Sequence, residues 1–403
     1  MKTRLLKLTL IGLATIGLAS CGEKTDEGGV DVAQIAEAAK VMSNDELIAK
    51  AKAETGKFIA YGTTSRISNA VDNFVTKYGE QLGLTKDNAK GTKMDDSSIY
   101  ATLGIEYAAK DNSNAASFVL LQDSATLAQY RKSSNMLTNY ISNQFATNVD
   151  SDALVPLAHQ YINKLFIWNN TKGESAPKFN NVWDLTEEAY KGKIYFKSPT
   201  AEQVNMNFLM TLTSDTWVKK MEAAYKAKYN KDYTPEGKLI NASYAWIDAF
   251  LRNADTASYT SDTKMAAGVA KEENNDKVGL FVLSKLRDKS VTSENLTVGA
   301  WEEGGITPFA GFMYSIYAQI ASKGPRPYTA MLFTNYLMTE EGFAPWKEAI
   351  GGYSSNKEIK EFDGDKPLSF YKNCLVLEDG EYISANKATL GDWINGILAD
   401  KAK

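Results

Sequence analysis

Hydroxyl and guanidinium groups follow a predicted buried strand early in the chain. The apolar run 58–61 is followed, ahead of a helical pattern, by the side chains of Thr63, Thr64, Ser65 and Arg66. In α/β sheets ligands bind at such strand-to-helix turns, where N–H groups and the helix dipole favour anions. Arg66 suits a phosphate or carboxylate because a guanidinium donates two parallel hydrogen bonds. The hydroxyls could equally serve only to cap the helix.

Further polar side chains stand between predicted strands and predicted helices. They are Ser97, Ser98, Gln122, Asp123 and Thr200. Each of these side chains either faces a ligand or caps the helix that follows it. We therefore include all five among the predicted ligand-binding residues.

Aromatic and acidic side chains add three candidates. Trp168 and Trp301 could stack on a sugar or another ring, although tryptophan more often fills a core. Glu302 and Glu303 suggest the carboxylate pair of a glycosidase, so a secreted carbohydrate hydrolase is the alternative function. Neighbouring residues of an extended chain point to opposite faces, so at most one of the pair lines a given pocket. Glu303 is the candidate ligand residue.

The sequence lacks common signatures of enzymes and metal sites. It contains no H-E-x-x-H, G-x-S-x-G, P-loop or C-x-x-C motif. Its single histidine, His159, excludes a multi-histidine metal site and is expected to be structural or on the surface. Cys374 has no histidine near it in sequence and is expected to be a quiet thiol. We predict no catalytic residue, no metal and no cofactor.

Local patterns indicate how these side chains are positioned. Ser43 to Glu46 fits a capping box that begins a helix. Strand, polar turn and helix then alternate, which predicts a parallel sheet covered by helices on both faces. Two strongly apolar runs, 312–321 and 328–337, are predicted to be helices, the second begun by Pro327.

The start of the chain has the features of an export signal. Lys2, Arg4 and Lys7 precede an apolar stretch, 8–18, that is too short to span a bilayer. Residues 18–21, Leu-Ala-Ser-Cys, resemble the lipobox of bacterial lipoproteins, whose cysteine becomes the lipidated N-terminus. The resemblance implies a signal peptide over 1–20, a lipid on Cys21, and a place outside the cytoplasmic membrane. Residues 21–42 are predicted to be the spacer behind the anchor.

Charge and length restrict the remaining possibilities. The formal charge is −4, and it becomes −7 without the three cations of residues 1–20. This acidic balance argues against a nucleic-acid partner. About 350 residues after a tether exceed what one core usually serves, so two domains are expected.

Three segments in series resemble extracellular solute-binding proteins of ABC transporters. Residues 51–61 are similar to their "A-x-x-E-G-K plus strand" opening, with Thr55 inserted, and 183–199 to their "W-x-D-L, K-G-K-I, P" segment. Residues 330–342 resemble their "A-x-x-F-x-x-[YF]-L-x-[ST]-E-E-G" helix pair. Together the segments cover about residues 45 to 345. The nearest group is type 2, which includes binders of ferric iron, polyamines, thiamine, phosphonates and sugar phosphates.

The resemblance implies a two-lobed α/β fold with a hinge between discontinuous domains. Lobe 1 would comprise 43–160 and 298–345, lobe 2 would comprise 161–297, and 346–403 would form C-terminal helices near the hinge. The implied function is capture of a small polar or anionic solute, such as a sugar or sugar phosphate, for an ABC permease. Ferric-binding relatives carry adjacent tyrosines after a "V-G-L" strand, whereas here Phe281 and Val282 follow and have no ligand atoms. Iron is therefore a low-ranked ligand.

Overall fold

The computed structural model describes residues 31–173 and 179–402. Its α-helices are α1 (Val32–Ala39), α2 (Asn44–Ala51), α3 (Arg66–Leu82), α4 (Asp96–Ala108), α5 (Ser124–Ser133), α6 (Asn143–Ala146), α7 (Gln203–Thr211), α8 (Asp215–Tyr229), α9 (Ala242–Asn253), α10 (Asp262–Val269), α11 (Pro327–Leu337), α12 (Glu340–Phe343), α13 (Leu368–Cys374) and α14 (Gly380–Lys401). Its strands are β1 (Phe58–Gly62), β2 (Ala89–Lys93), β3 (Phe118–Leu121), β4 (Leu137–Thr138), β5 (Ala158–Asn169), β6 (Ile194–Phe196), β7 (Ala254–Asp255), β8 (Val278–Val282), β9 (Leu296–Val298), β10 (Gly311–Ala321), β11 (Gly352–Ser354) and β12 (Val376–Leu377).

The strands of the described chain form one sheet with two similar ends. Its main path runs β2-β1-β3-β10-β5-β8-β6-β7. Strands β1, β2 and β3 are parallel to one another, and so are β6, β7 and β8. We call β1–β3 with helices α3–α5 the first half, and β6–β8 with helices α7–α10 the second half.

Two long antiparallel strands connect these halves. Residues 317–320 of β10 pair with β3, whereas 311–317 pair with β5. Residues 164–168 of β5 in turn pair with β8 of the second half. All twelve residues of β5 are buried. The two halves are therefore connected by hydrogen-bonded strands of the sheet and not by a flexible linker.

The first half has apolar side chains on both faces of its sheet. Phe58 and Ala60 of β1 belong to the main core, whereas Tyr61 joins a smaller core that includes Ile99 of α4 and Leu127 of α5. Successive side chains of a strand point to opposite faces, so this division places helices on both sides. The prediction of a parallel sheet covered on both faces is confirmed here.

Several local predictions match the structure, and one fails. The capping box at Ser43 is present at the start of α2, and Pro327 begins α11. The run 312–321, predicted to be a helix, is strand β10. Its side chains are nearly all buried because the strand lies in the middle of the sheet, so no two-residue alternation marks it.

The range predicted to be the spacer contains a helix. Within its range of 21–42, residues 32–39 form α1, whose Val32, Ala36 and Ala39 are buried in the main core. The chain from Val32 onward therefore belongs to the folded body. Cys21 and the predicted signal peptide lie outside the described residues. Among the helices that are described, none has the length and apolar character needed to cross a membrane.

Candidate functional site

A polar cleft of about 890 Å³ lies between the two halves. The segments that follow β1, β2 and β3 line one side, and those that follow β6, β7 and β8 line the other. Ile162 of β5 and Tyr314 of β10 also contribute to the lining. The cleft thus occupies the place where open α/β sheets bind ligands, outside the carboxyl ends of the strands.

Most of the residues predicted from sequence are brought together in this cleft. From the first half they are Thr63, Thr64, Ser65, Arg66, Ser97, Gln122 and Asp123, and from the second half Thr200. The N-cap residues of α3, α4 and α7 make no side-chain capping bond. Capping therefore does not occupy the hydroxyl of Ser65, which is the N-cap of α3.

Four predicted residues lie outside the cleft. Ser98 is exposed on α4, one position beyond Ser97. Trp168 is buried in the core, where its ring contacts Phe179. Trp301 lies on another surface and donates a hydrogen bond to the Tyr371 hydroxyl. Glu303 is exposed and lines neither the cleft nor the pocket beside Trp301.

Besides the exposed Lys93, three cations from both halves border the cleft without ion-pair partners among the described residues. Arg66 begins α3, and Lys285 and Arg287 follow β8. Among the described residues, none of the three makes a side-chain hydrogen bond or an ion pair. Burial and the nearby Arg287 lower the pKa of Arg66, although Glu348 offsets part of this effect. Burial, Arg66 and Arg287 likewise lower the pKa of Lys285, against the opposing charge of Asp262.

Lys285 and Arg287 were missed in the sequence analysis. The V-G-L pattern singles out only Phe281 and Val282, which are the last residues of β8. The same strand-end rule, carried three residues beyond Val282, includes Ser284 and Lys285, which line the cleft.

An acidic group lies against the first half of the cleft. The Asp96 carboxylate accepts hydrogen bonds from the backbone N–H groups of Gln122 and Asp123, the latter at 2.8 Å. Burial raises the pKa of Asp96 to about 7, opposed by those hydrogen bonds and assisted by the charge of Asp123. Lys387 of α14 lies 3.5 Å from the Asp123 carboxylate. This end of the cleft can accept hydrogen bonds from ligand hydroxyls.

A buried lysine links the second half to the connecting strand. Lys164 of β5 is fully buried, and its Nζ lies 2.5 Å from the Glu202 carboxylate, 3.4 Å from Asp262 and 3.1 Å from the Asn205 amide oxygen. Burial favours the neutral amine, but the two carboxylates outweigh it and raise the pKa of Lys164. Lys197 adds a second cation 3.5 Å from Glu202. Lys164 therefore fixes the starts of α7 and α10, where both carboxylates line the cleft.

The single histidine and the thiol lie away from the cleft. His159 is fully buried between the rings of Phe343 and Trp346, and burial lowers its pKa to about 3. Burial raises the pKa of the Cys374 thiol to about 11. A neutral imidazole and a protonated thiol agree with the structural roles expected for both residues.

Comparison with solved structures identifies the architecture. The chain is similar to the ferric binding protein from Campylobacter jejuni, with a TM-score of 0.60, 13% identity, and coverage of 86% of this chain and 99% of that one. For iron-bound HitA from Pseudomonas aeruginosa the TM-score is 0.57 and the identity 13%, with coverage of 87% of this chain and 100% of that one. For AfuA from Actinobacillus pleuropneumoniae, with fructose-6-phosphate bound, the TM-score is 0.59 and the identity 15%, with coverage of 85% of this chain and 99% of that one. No protein-family model matches the sequence, and no curated protein does.

These likenesses define a class of fold. The chain has the two-lobed α/β fold of type 2 periplasmic binding proteins, as the sequence resemblance implied. The iron and the sugar phosphate belong to the neighbours named. In the described part of this chain, no group of three or more His, Cys, Asp or Glu residues is arranged to hold a metal ion.

Proposed function

We propose that this protein is a lipid-anchored solute-binding protein that captures a small anionic solute in its cleft and delivers it to an ABC importer. The fold and the position of the cleft support the class of function. One observation is the main support for an anionic ligand. Arg66 of the first half faces the same cleft as Lys285 and Arg287 of the second half, and none of them has an ion-pair partner among the described residues.

Arg66 and Lys285 are partly buried and Arg287 is exposed, and neighbouring cations of this kind repel one another. An anion placed among them removes that repulsion and accepts charge-assisted hydrogen bonds, which are the stronger kind. Because Arg66 and Arg287 come from opposite halves, a bound anion attracts both halves and favours the closed arrangement. Ligand binding should therefore shift an open–closed equilibrium.

The remaining lining suggests what else the solute carries. The carboxylates of Asp96, Glu202 and Asp262 line the same cleft as the cations. Carboxylates accept hydrogen bonds, and hydroxyls donate them. A phosphate on a polyhydroxylated body, as in a sugar phosphate, would satisfy both sets of groups, whereas inorganic phosphate alone would satisfy only the cations.

The division into lobes follows from the same proposal. Lobe 1 would comprise 43–160 and 298–345, and lobe 2 would comprise 161–297, with 346–403 near the hinge. Strands β5 and β10 support this division because each pairs with both halves of the sheet. Helix α1 packs in the same core and would extend lobe 1 towards the N-terminus.

The lipid on Cys21 is a separate part of the proposal, supported by the signal-like sequence before it. Labelled glycerol or fatty acid should be incorporated by the wild type and not by Cys21→Ala, which should accumulate as precursor. Continued incorporation by the variant would place the anchor elsewhere.

A thermal-shift panel tests the ligand class. The panel contains phosphorylated sugars, their neutral parents, polyamines, thiamine and ferric chelates. A phosphorylated sugar at a hundredfold excess over its dissociation constant should add about 2.7 kcal/mol of stability. Arg287→Ala should remove most of the shift, whereas Lys289→Ala, an exposed cation outside the cleft lining, should not. Stabilisation by polyamine or iron alone would contradict the proposal, and turnover of the bound compound would contradict transport.

A further inference from the structure

A second pocket, of about 590 Å³, borders the polar cleft at Arg287 and differs from it in character. It lies between the segment that follows β8, strand β9 and part of the C-terminal region. Its walls are mainly apolar and include Leu286, Leu296, Val298, Ala349 and Ile350. Small organic molecules are typically bound in apolar pockets of about 300–1,000 Å³ that carry a few polar groups.

Two exposed aromatic rings lie in this pocket. The side chain of Trp301 is 38% exposed and that of Phe362 is 37% exposed. All seven tryptophans and sixteen phenylalanines of the chain belong to the described residues, and only these two are exposed. Exposed apolar surface that is gathered in one place commonly marks a binding site, whereas scattered apolar residues do not.

A chain of hydrogen bonds holds the indole ring of Trp301 in place. Its Nε1–H donates to the Tyr371 hydroxyl at 3.0 Å, and that hydroxyl donates to the Asp365 carboxylate at 2.9 Å. The Tyr353 hydroxyl donates to the same carboxylate at 2.6 Å, and both tyrosines are buried. The indole N–H is therefore engaged, so Trp301 offers the pocket a fixed ring surface.

The charged groups of the pocket favour a cation. Glu302 and Glu348 both line it and are exposed, and neither forms an ion pair with a described residue. Arg287 is the one described cation in the lining, so carboxylates outnumber cations there. Because Glu348 also interacts electrostatically with Arg66 of the cleft, Glu302, which directly follows Trp301, is the main acidic group for a ligand. A tryptophan face attracts positive charge more strongly than other aromatic rings do.

We propose that this pocket is a second binding site, which takes a small amphipathic cation such as an aromatic ammonium compound. The ammonium group lies over the Trp301 ring and near the Glu302 carboxylate, and the apolar part contacts Phe362 and Ile350. The site is distinct from the cleft, whose cations select the opposite charge. Arg287 borders both places, so it supports anion binding in the cleft and opposes cation binding in the pocket.

Ligand-observed NMR titration tests the proposal with three compounds that share one ring. They are benzyltrimethylammonium, benzyl alcohol and phenylacetate, which are cationic, neutral and anionic. The wild type should bind the ammonium compound at least tenfold more tightly than the other two. Trp301→Leu keeps an apolar side chain but has no aromatic face, so it should weaken ammonium binding about fivefold to thirtyfold. Trp301→Phe keeps a ring and should lose less.

The acidic group is tested in the same way. Glu302→Gln should weaken ammonium binding by about twofold to fivefold, which is the effect expected of an exposed charge. Glu222→Gln removes an exposed carboxylate on α8 and should bind the ammonium compound as the wild type does. If Trp301→Leu does not fold, the combination of Trp301→Phe with Glu302→Gln replaces it and should bind more weakly than either single variant.

Arg287→Ala separates this site from the cleft. It should keep or increase the affinity for benzyltrimethylammonium, although it removes most of the thermal shift given by a phosphorylated sugar. Loss of both affinities would place the ammonium compound in the cleft and overturn the proposal. Binding of benzyl alcohol or phenylacetate as tight as that of the ammonium compound, or full ammonium affinity in Trp301→Leu, would overturn it too. Neither result would affect the anion site.

Discussion

Replacing Lys164 by methionine should destabilise the protein more than most single substitutions do. The lysine Nζ is fully buried, and the Glu202 and Asp262 carboxylates beside it are only 13% and 10% exposed. Methionine keeps much of the side-chain volume and removes the charge, so the two buried carboxylates are left with only Lys197 and Lys285 as nearby cations. Removing one partner from a buried ionic group costs about 3–5 kcal/mol. We expect a loss in that range, which is a large share of a typical domain's stability.

The assay is urea unfolding at pH 7, followed by tryptophan fluorescence. The loss should appear as a lower midpoint with an unchanged slope. Lys191→Met is the control, because Lys191 pairs with Glu188 at the surface and should change the free energy of unfolding by no more than about 0.5 kcal/mol. Adding Glu202→Gln to Lys164→Met should recover part of the loss, since it removes one of the uncompensated charges.

The pH dependence gives a second check on the same reasoning. Without Lys164, burial should raise the pKa values of both carboxyls in the folded protein above those in the unfolded chain. The folded variant then binds protons more readily than the unfolded one, so its deficit should shrink as the pH falls from 7 towards about 4. A loss below about 1 kcal/mol at pH 7, or a deficit independent of pH, would refute the claim that Lys164 compensates these carboxylates.

Three further predictions concern the framework. Ser43→Ala removes the capping box of α2 and should lower the free energy of unfolding by about 1 kcal/mol in a urea titration. The control Ser98→Ala removes an exposed hydroxyl and should leave the free energy of unfolding nearly unchanged. Gly311→Ala, at φ 146°, would bring its methyl to 2.1 Å from the carbonyl oxygen of Lys164 and should cost about 2–4 kcal/mol; a near-normal melting temperature would contradict this. Burial lowers the pKa of His159 from 6.5 to about 3, so between these pH values the unfolded chain binds the proton and the folded protein does not. The free energy of unfolding should therefore fall as the pH is lowered, by up to about 1.4 kcal/mol per pH unit. His159→Phe should flatten that decline in a series of urea midpoints, and an unchanged decline would show that His159 is not its source.

The sequence predicted the parts of the fold that depend on local signals. Ser43 with Glu46 and Pro327 are start signals that act within one turn, and both begin helices in the structure. The run 312–321 was misassigned because a strand buried on both faces lacks alternation. Only its pairing with β3 and β5, which is long-range, makes it a strand.

The lining residues of the cleft were predicted where hydroxyl side chains follow a strand directly, and they were missed where the cations follow β8. Thr63 to Arg66 reach the cleft because they follow β1 directly. The choice of Trp168 and Trp301 rests on the ability of the indole ring to stack on a sugar. Trp168 instead packs in the core, and Trp301 on a different surface. The proximity of Arg66 to Arg287 could not be read from the sequence, since it arises from the meeting of the two halves.

Calorimetric titration of a sugar phosphate and its neutral parent tests whether the cations of the cleft select an anionic solute. We use the phosphorylated sugar that gives the largest thermal shift, and we titrate the wild type, Arg66→Ala, Arg287→Ala and the control Lys289→Ala. We expect one binding site per chain, with higher affinity for the phosphorylated sugar than for its neutral parent. We also expect a tenfold to hundredfold loss of that preference, about 1.4–2.7 kcal/mol, in each cleft variant but not in the control. Equal affinity of the wild type for both sugars, or an undiminished preference in either cleft variant, would contradict this expectation.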